Sequence, residues 1–285
     1  MSGRVLRAVL MTVLLVVGPA LALPGTADAP APPARDGVGA GLTASRAFKW
    51  GKSLWDYAWE YGESLSSGPH RGTGPKDGWW QDASDGTGRA VKWGGGVQLE
   101  SAGNRRPWAG DHGTTTLTLQ DESASRGRWE VRHRTDVEEG SATPYRDLIQ
   151  LVPADGGCAR SITIAEINPN GDTITIAANA GGSAWTRTFD GYPQGREHPR
   201  NYAVEVTAKK ITWFVNGKVV GTLANSAAIP TEAMTVRLGL VGGDADQEMN
   251  HTTMIFDWVR GWDLKKGEKP PKGPALEPGT YDDAC

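Results

Sequence analysis

A chain of 285 residues with a formal net charge of -3 carries no excess of Lys and Arg, which excludes nucleic acid as an electrostatically favoured partner. With 38% hydrophobic and 22% charged residues it has the apolar surface for a sizeable core, which excludes wholesale disorder. Trp is the compositional outlier, with 12 copies against 4 Phe; most are expected to pack, and about two or three to face a flat ligand in a cleft.

In chain order, the first segment has the pattern of an export signal. Arg4 and Arg7 precede an apolar run over residues 8–17, followed by the small-residue stretch Ala20-Leu21-Ala22, so residues 1–22 are expected to be cleaved. That run is too short to span a bilayer comfortably, and the expectation is a secreted protein with no membrane partner after cleavage. Residues 23–46 are Pro, Ala, Gly and small polar residues that cannot bury enough surface to order themselves, and are expected to be a linker.

Residues 47–264 are expected to form one β-sandwich domain, because the apolar runs are short, β-branched or aromatic, and punctuated by turn residues. Trp55, Tyr57, Trp59 and Tyr61 fall on every second residue, which puts their rings on one face of a strand. Further strands are expected at 90–93, 97–101, 114–120, 127–135, 147–152, 161–167, 173–178 and 184–189. Others follow at 201–207, 210–216, 218–223, 234–241 and 253–262. Asn216-Gly217 supplies the positive φ angles of a two-residue hairpin, and Asn170-Gly171-Asp172 is expected to make a second, slightly longer turn of the same type. No segment after the signal shows a sustained helical period, so the fold class is all-β: two packed antiparallel sheets, a sandwich or jelly roll.

Residues 265–285 contain Lys-Gly, Pro-Pro and Gly-Pro pairs and are expected to run over the surface as a tail without regular structure. The only two cysteines are Cys158 and Cys285. In an exported protein a bridge between them would pin the last residue to the body, and closing so long a loop would contribute about 4 to 5 kcal/mol. Free or intermolecular thiols are the alternative.

The order of the strand motifs resembles glycoside hydrolase family 16, the laminarinase, lichenase and agarase group, over residues 79–263. The resemblance is carried by Gly127-Arg128-Trp129-Glu130-Val131-Arg132, residues 148–153, the strand ending at Glu166, Tyr202-Ala203-Val204-Glu205-Val206, residues 211–220, and Phe256-Asp257-Trp258-Val259-Arg260. It implies a concanavalin A-like jelly roll with a groove across its concave face for an extended extracellular polysaccharide. The family places its carboxylates on one strand as Glu-x-Asp-x-x-Glu, with a bulge returning the last Glu to the groove side. Here that segment is Ser161-Ile162-Thr163-Ile164-Ala165-Glu166. Retaining hydrolysis needs two carboxyl groups roughly 5 to 5.5 Å apart, and this chain keeps one, Glu166, as a candidate general acid and base.

Asp147 is the candidate second carboxylate, provided the register of its strand turns it toward Glu166; Arg146 is the alternative neighbour. His133, His198 and His251 are the side chains that could approach Ser161 as a base. Ser161, Thr163, Gln150 and Arg146 are expected to line the groove. Gln150 stands where the family usually offers a Trp, and Arg200 where it usually has a His. Trp79 and Trp80, beside a Gly-rich loop, are candidate sugar platforms, and Trp213 is divided between platform and core. No ligand spacing for a metal and no cofactor motif is present, so neither is expected. Three readings follow: a polysaccharide-binding protein whose catalysis is doubtful, a hydrolase using Glu166 with a carboxylate from elsewhere, and a structural or adhesive sandwich without a sugar site.

Overall fold

The computed structural model describes residues 42–59, 80–93, 95–102, 110–138, 143–247 and 249–282, all within one unit, Val38–Cys285. The expected export signal, most of the expected linker, Tyr61, Trp79 and Cys285 lie outside the described residues. A short helix α1 (Ala44–Ala47) precedes β1 (Trp55–Tyr57), β2 (Trp80–Ser84), β3 (Arg89–Trp93), β4 (Gly96–Glu100), β5 (Thr115–Leu119) and β6 (Gly127–Val137). Then come β7 (Arg146–Pro153), β8 (Arg160–Ile167), β9 (Ile174–Ala180), β10 (Ser183–Phe189) and β11 (Arg200–Val206). The chain closes with β12 (Ile211–Val215), β13 (Lys218–Leu223), β14 (Met234–Val241), β15 (Thr252–Trp262) and β16 (Glu277–Gly279).

The strands form two antiparallel sheets. One has the order β13-β12-β11-β6-β15-β4-β3, with β1 added beside β15; the other is β16-β10-β9-β8-β7-β14-β5-β2. Period-2 alternation decides what lies between them. Trp129, Val131 and Val204 point inward from the β6 sheet and meet Ile149, Leu151, Ile162, Ile164 and Leu238 from the β8 sheet in one buried cluster. Each such aliphatic side chain contributes about 1.5 to 3 kcal/mol through burial. This is the two-sheet jelly-roll sandwich that the sequence pattern predicts.

The Asn216-Gly217 hairpin has the expected geometry, with φ of 47° and 72°. The other turn is built differently. Asn168 starts it, its side-chain oxygen accepting from Asn170 N and its carbonyl from Gly171 N, and Gly171 does not adopt a positive φ.

Both ends of the expected domain extend further than composition suggests. The last residues assigned to the linker are ordered: Thr43 caps α1 by accepting from Arg46 N, and Ala44 is buried. Ala44, Trp50, Ala203, Phe214 and Trp262 form a second apolar cluster on the outer face of the β6 sheet. The Pro/Gly-rich tail is likewise not free of regular structure. Ala275 bridges Thr222, Leu276 joins the main core, and β16 adds to the edge strand β10. One buried leucine and a sheet edge with open hydrogen-bonding groups outweigh the local preference of Pro and Gly for irregular chain. Cys158 is disulfide-bonded.

Candidate functional site

The site is set by a bulge in β8. Asp147 pairs with Ile167, Leu148 with Glu166 and Ile149 with Ala165, but Gln150 pairs with Thr163, so Ile164 is an extra residue against β7. The same irregularity separates Thr163 from Glu166 in the pairing with β9. The inserted residue resets the alternation, and Ser161, Thr163 and Glu166 all face the outer side of the β8 sheet. The bulge expected from the resemblance is therefore present, with Ser161 and Thr163 at the two positions that precede Glu166 on the same face. Trp213 helps to hold it: its indole N–H donates to the Thr163 carbonyl across the sandwich at 2.9 Å.

Outer-face neighbours divide these positions into two kinds. Asn179 Nδ2 donates to Ser161 Oγ at 3.2 Å, Gln150 Nε2 donates to Thr163 Oγ1 at 3.3 Å, and Arg237 Nη2 donates to Gln150 Oε1 at 2.6 Å. Ser161, Thr163 and Gln150 expose none of their surface. Their polar atoms are committed to one another, which corrects the expectation that they line an open groove. Glu166 and Arg146 differ. Arg146 Nη1 donates to Glu166 Oε1 at 3.0 Å, and the two side chains keep 41% and 18% of their surface exposed, respectively. They face a pocket of about 470 Å³ whose wall includes Asn168, Thr175, Gln247 and Met249. Glu166 is the only carboxylate among the described residues of that wall.

Asp147 is not the second carboxylate. One residue along β7 from Arg146, it points into the core, where Oδ2 lies 2.9 Å from His133 Nε2 and neither side chain is exposed. His133 is thereby removed as a base for Ser161. His251 is removed as well, because its Nδ1 lies 3.0 Å from Asp111 Oδ2, in a cluster that also holds Ser101 Oγ. Of the aromatic platforms, Trp80 is completely buried against Tyr57 and Trp59, and Trp213 is completely buried between the sheets. In each case a large indole is worth more in the core than on the surface. Trp79 lies outside the described residues.

Arg237 and Asn179 were not foreseen from sequence. The alternation of β14 and β9 contained the signal, but using it required their register against β7 and β8. Among the described residues, no three or more His, Cys, Asp or Glu side chains gather as a metal-binding group. No described helix is long and apolar enough to cross a membrane.

Residues 177–260 match the sequence model of Glycosyl hydrolases family 16. Compared by sequence with curated proteins, the chain matches none. Among solved structures it is similar to the catalytic domain of an endo-1,3-β-glucanase (laminarinase) from Thermotoga petrophila RKU-1. That likeness has a TM-score of 0.55 at 13% identity and covers 75% of this chain and 98% of that one. The endo-β-1,3-glucanase of Pyrococcus furiosus aligns with a TM-score of 0.54 at 14% identity, covering 74% and 94%. A GlcNAcα1-4Gal releasing endo-β-galactosidase from Clostridium perfringens aligns with a TM-score of 0.55 at 14% identity, covering 76% and 63%. Over residues 177–260 the chain is thus similar to glycoside hydrolase family 16, and its two-sheet sandwich has the fold of these glucanase structures.

Proposed function

We propose that this is a secreted polysaccharide-binding protein, taking an extended β-glucan-like chain on the outer face of the β8 sheet, with the Glu166–Arg146 pocket as its polar anchor. The observation that carries this reading is that, among the described residues, no second carboxylate stands beside Glu166 in the pocket wall. Ser161 and Thr163 occupy the other two positions of the carboxylate strand, and Asp147 is turned inward to His133. Hydrolysis with retention needs a second carboxyl group roughly 5 to 5.5 Å from the first, and inversion needs one roughly 6.5 to 9.5 Å away. The described residues of the pocket wall supply one carboxylate and one guanidinium, a pair suited to hydrogen-bonding sugar hydroxyls. The laminarinase-like sandwich supports the choice of a β-glucan.

The test is reducing-sugar release from β-1,3-glucan, mixed-linkage β-glucan and galactan, with Glu166→Gln purified alongside the wild type. The expected outcome is no release by either protein, with retained polymer in a pull-down that Glu166→Gln or Arg146→Ala weakens. Release by the wild type that Glu166→Gln abolishes would instead establish a hydrolase with Glu166 as its acid.

A further inference from the structure

Among the described residues, the outer face of the β6 sheet, on the far side of the sandwich from Glu166, carries one exposed aromatic. Trp93, at the tip of the β3–β4 hairpin, keeps 71% of its surface in water, whereas Trp50, Trp55, Trp59, Trp80, Trp129, Trp213 and Trp262 are buried. Register places it in a row. Trp93 pairs with Gly96, and Val97 pairs with Phe256, so Gly96 lies beside Asp257. A bulge in β15 between Phe256 and Trp258 then presents Asp257 to β6. There Arg132 Nε binds Asp257 Oδ2 at 2.9 Å, and Arg134 Nη2 lies 3.4 Å from Oδ1.

The row therefore runs from a flat indole, across a residue without a side chain, to a fixed carboxylate held between two guanidinium groups. Gly96 cannot be filled, because a Cβ there would sit 2.5 Å from the Phe256 carbonyl oxygen. Asp257, Arg132 and Arg134 remain 28%, 18% and 32% exposed, so each oriented ion has hydrogen-bonding capacity toward solvent. Trp258, next along β15, does not offer a second open ring, since the Arg260 guanidinium lies over it at 4.2 Å. An apolar plate beside fixed, directional polar groups is the pattern of a ligand site in which the plate supplies contact area and the polar groups fix orientation.

We propose that this row is a second carbohydrate-binding surface, which takes a neutral saccharide chain with the C–H face of one ring on Trp93 and its hydroxyls on Asp257, Arg132 and Arg134. The row sets two guanidinium groups against one carboxylate, a net charge of a single unit with both cations held by Asp257, so what the ions offer is directional hydrogen bonding. A polyanion or an anionic lipid surface would be matched by a cluster of uncompensated cations. The surface is independent of the Glu166 pocket in position and in chemistry.

The experiment is a titration of the full chain with soluble β-1,3-glucan, mixed-linkage β-glucan and galactan, followed by tryptophan fluorescence and acrylamide quenching. Wild type is compared with Trp93→Ala, Trp93→Tyr, and the pocket variants Glu166→Gln and Arg146→Ala. For at least one polymer, Trp93→Ala should bind about tenfold more weakly with an unchanged melting temperature, and Trp93→Tyr should recover most of the loss. Polymer should also protect wild-type fluorescence from quenching, and this protection should be lost in Trp93→Ala. Equal affinity of wild type and Trp93→Ala for every polymer bound, or no binding by the wild type at all, would overturn the inference. So would a Trp93 response only to anionic vesicles, or only to rising protein concentration. Loss in Trp93→Ala with the pocket variants unaffected would retain this surface and remove the pocket reading; the converse pattern would do the reverse.

Discussion

Trp213 shows how one side chain can hold a site it does not enter. The extra residue in β8 breaks the ladder locally, and the indole N–H at 2.9 Å satisfies the Thr163 carbonyl from the opposite sheet. Replacing Trp213 with Phe keeps an aromatic filler but removes that buried hydrogen bond, a change that costs about 0.5 to 1.5 kcal/mol. Urea denaturation should show the loss as a lower midpoint with an unchanged slope. The sequence made Trp213 visible as one of an alternating Trp-Phe pair without deciding its direction. Inward and outward residues of a half-buried strand look alike when both are aromatic. Glu166 was more legible, because a lone carboxylate among Ile162, Ile164 and Ile167 needs a partner or an opening, and it has both in Arg146 and the pocket.

At the level of elements, α1 is held by a buried carboxyl group as well as by packing. The Glu130 carboxylate, fully buried on β6, accepts from Ala44 N and Ser45 N at the start of the helix. Burial pushes its pKa up to about 7, against the opposing effects of the hydrogen bonds from Ser45 and Ala44 and of the Arg260 charge. The folded state thus binds this proton more tightly than the unfolded state, where the value is near 4.5. The stabilisation from protonating Glu130 is complete below about pH 4.5 and is lost as pH rises through about 7, a change of about 3 kcal/mol. In matched denaturation curves, Glu130→Gln should gain stability relative to wild type over that window and should differ little from it at pH 4. Strands with strong alternation and β-branched residues, such as β6 and β12, were readable from sequence. β2 and β16 were not, because Gln81-Asp82-Ala83-Ser84 and Glu277-Pro278-Gly279 have poor strand propensity and are recruited by the open edges of β5 and β10.

Across the whole molecule, the two sheets are joined by apolar packing and by a polar link near one end, His133 on β6 with Asp147 on β7. Both side chains are excluded from water, so removing one leaves the other stranded. His133→Leu should cost about 3 to 5 kcal/mol, whereas His133→Leu with Asp147→Leu should recover most of that loss in the same denaturation assay. The sandwich itself followed from strand spacing and turn chemistry. The identity of the pocket did not, because it depends on which faces of β7, β8, β9 and β14 coincide, and register is a property of the assembled sheet. The hydrogen bonds behind the bulge also bear on what this chain could become. Ser161 and Thr163 fit among Asn179, Gln150 and Arg237 as small neutral groups with no exposed surface. A carboxylate introduced at either position would enter a space already closed around a hydroxyl, and two together would place like charges side by side away from water. Paired carboxylates at these two positions would therefore be epistatic: the residues that enclose Ser161 and Thr163 would have to change in concert with them.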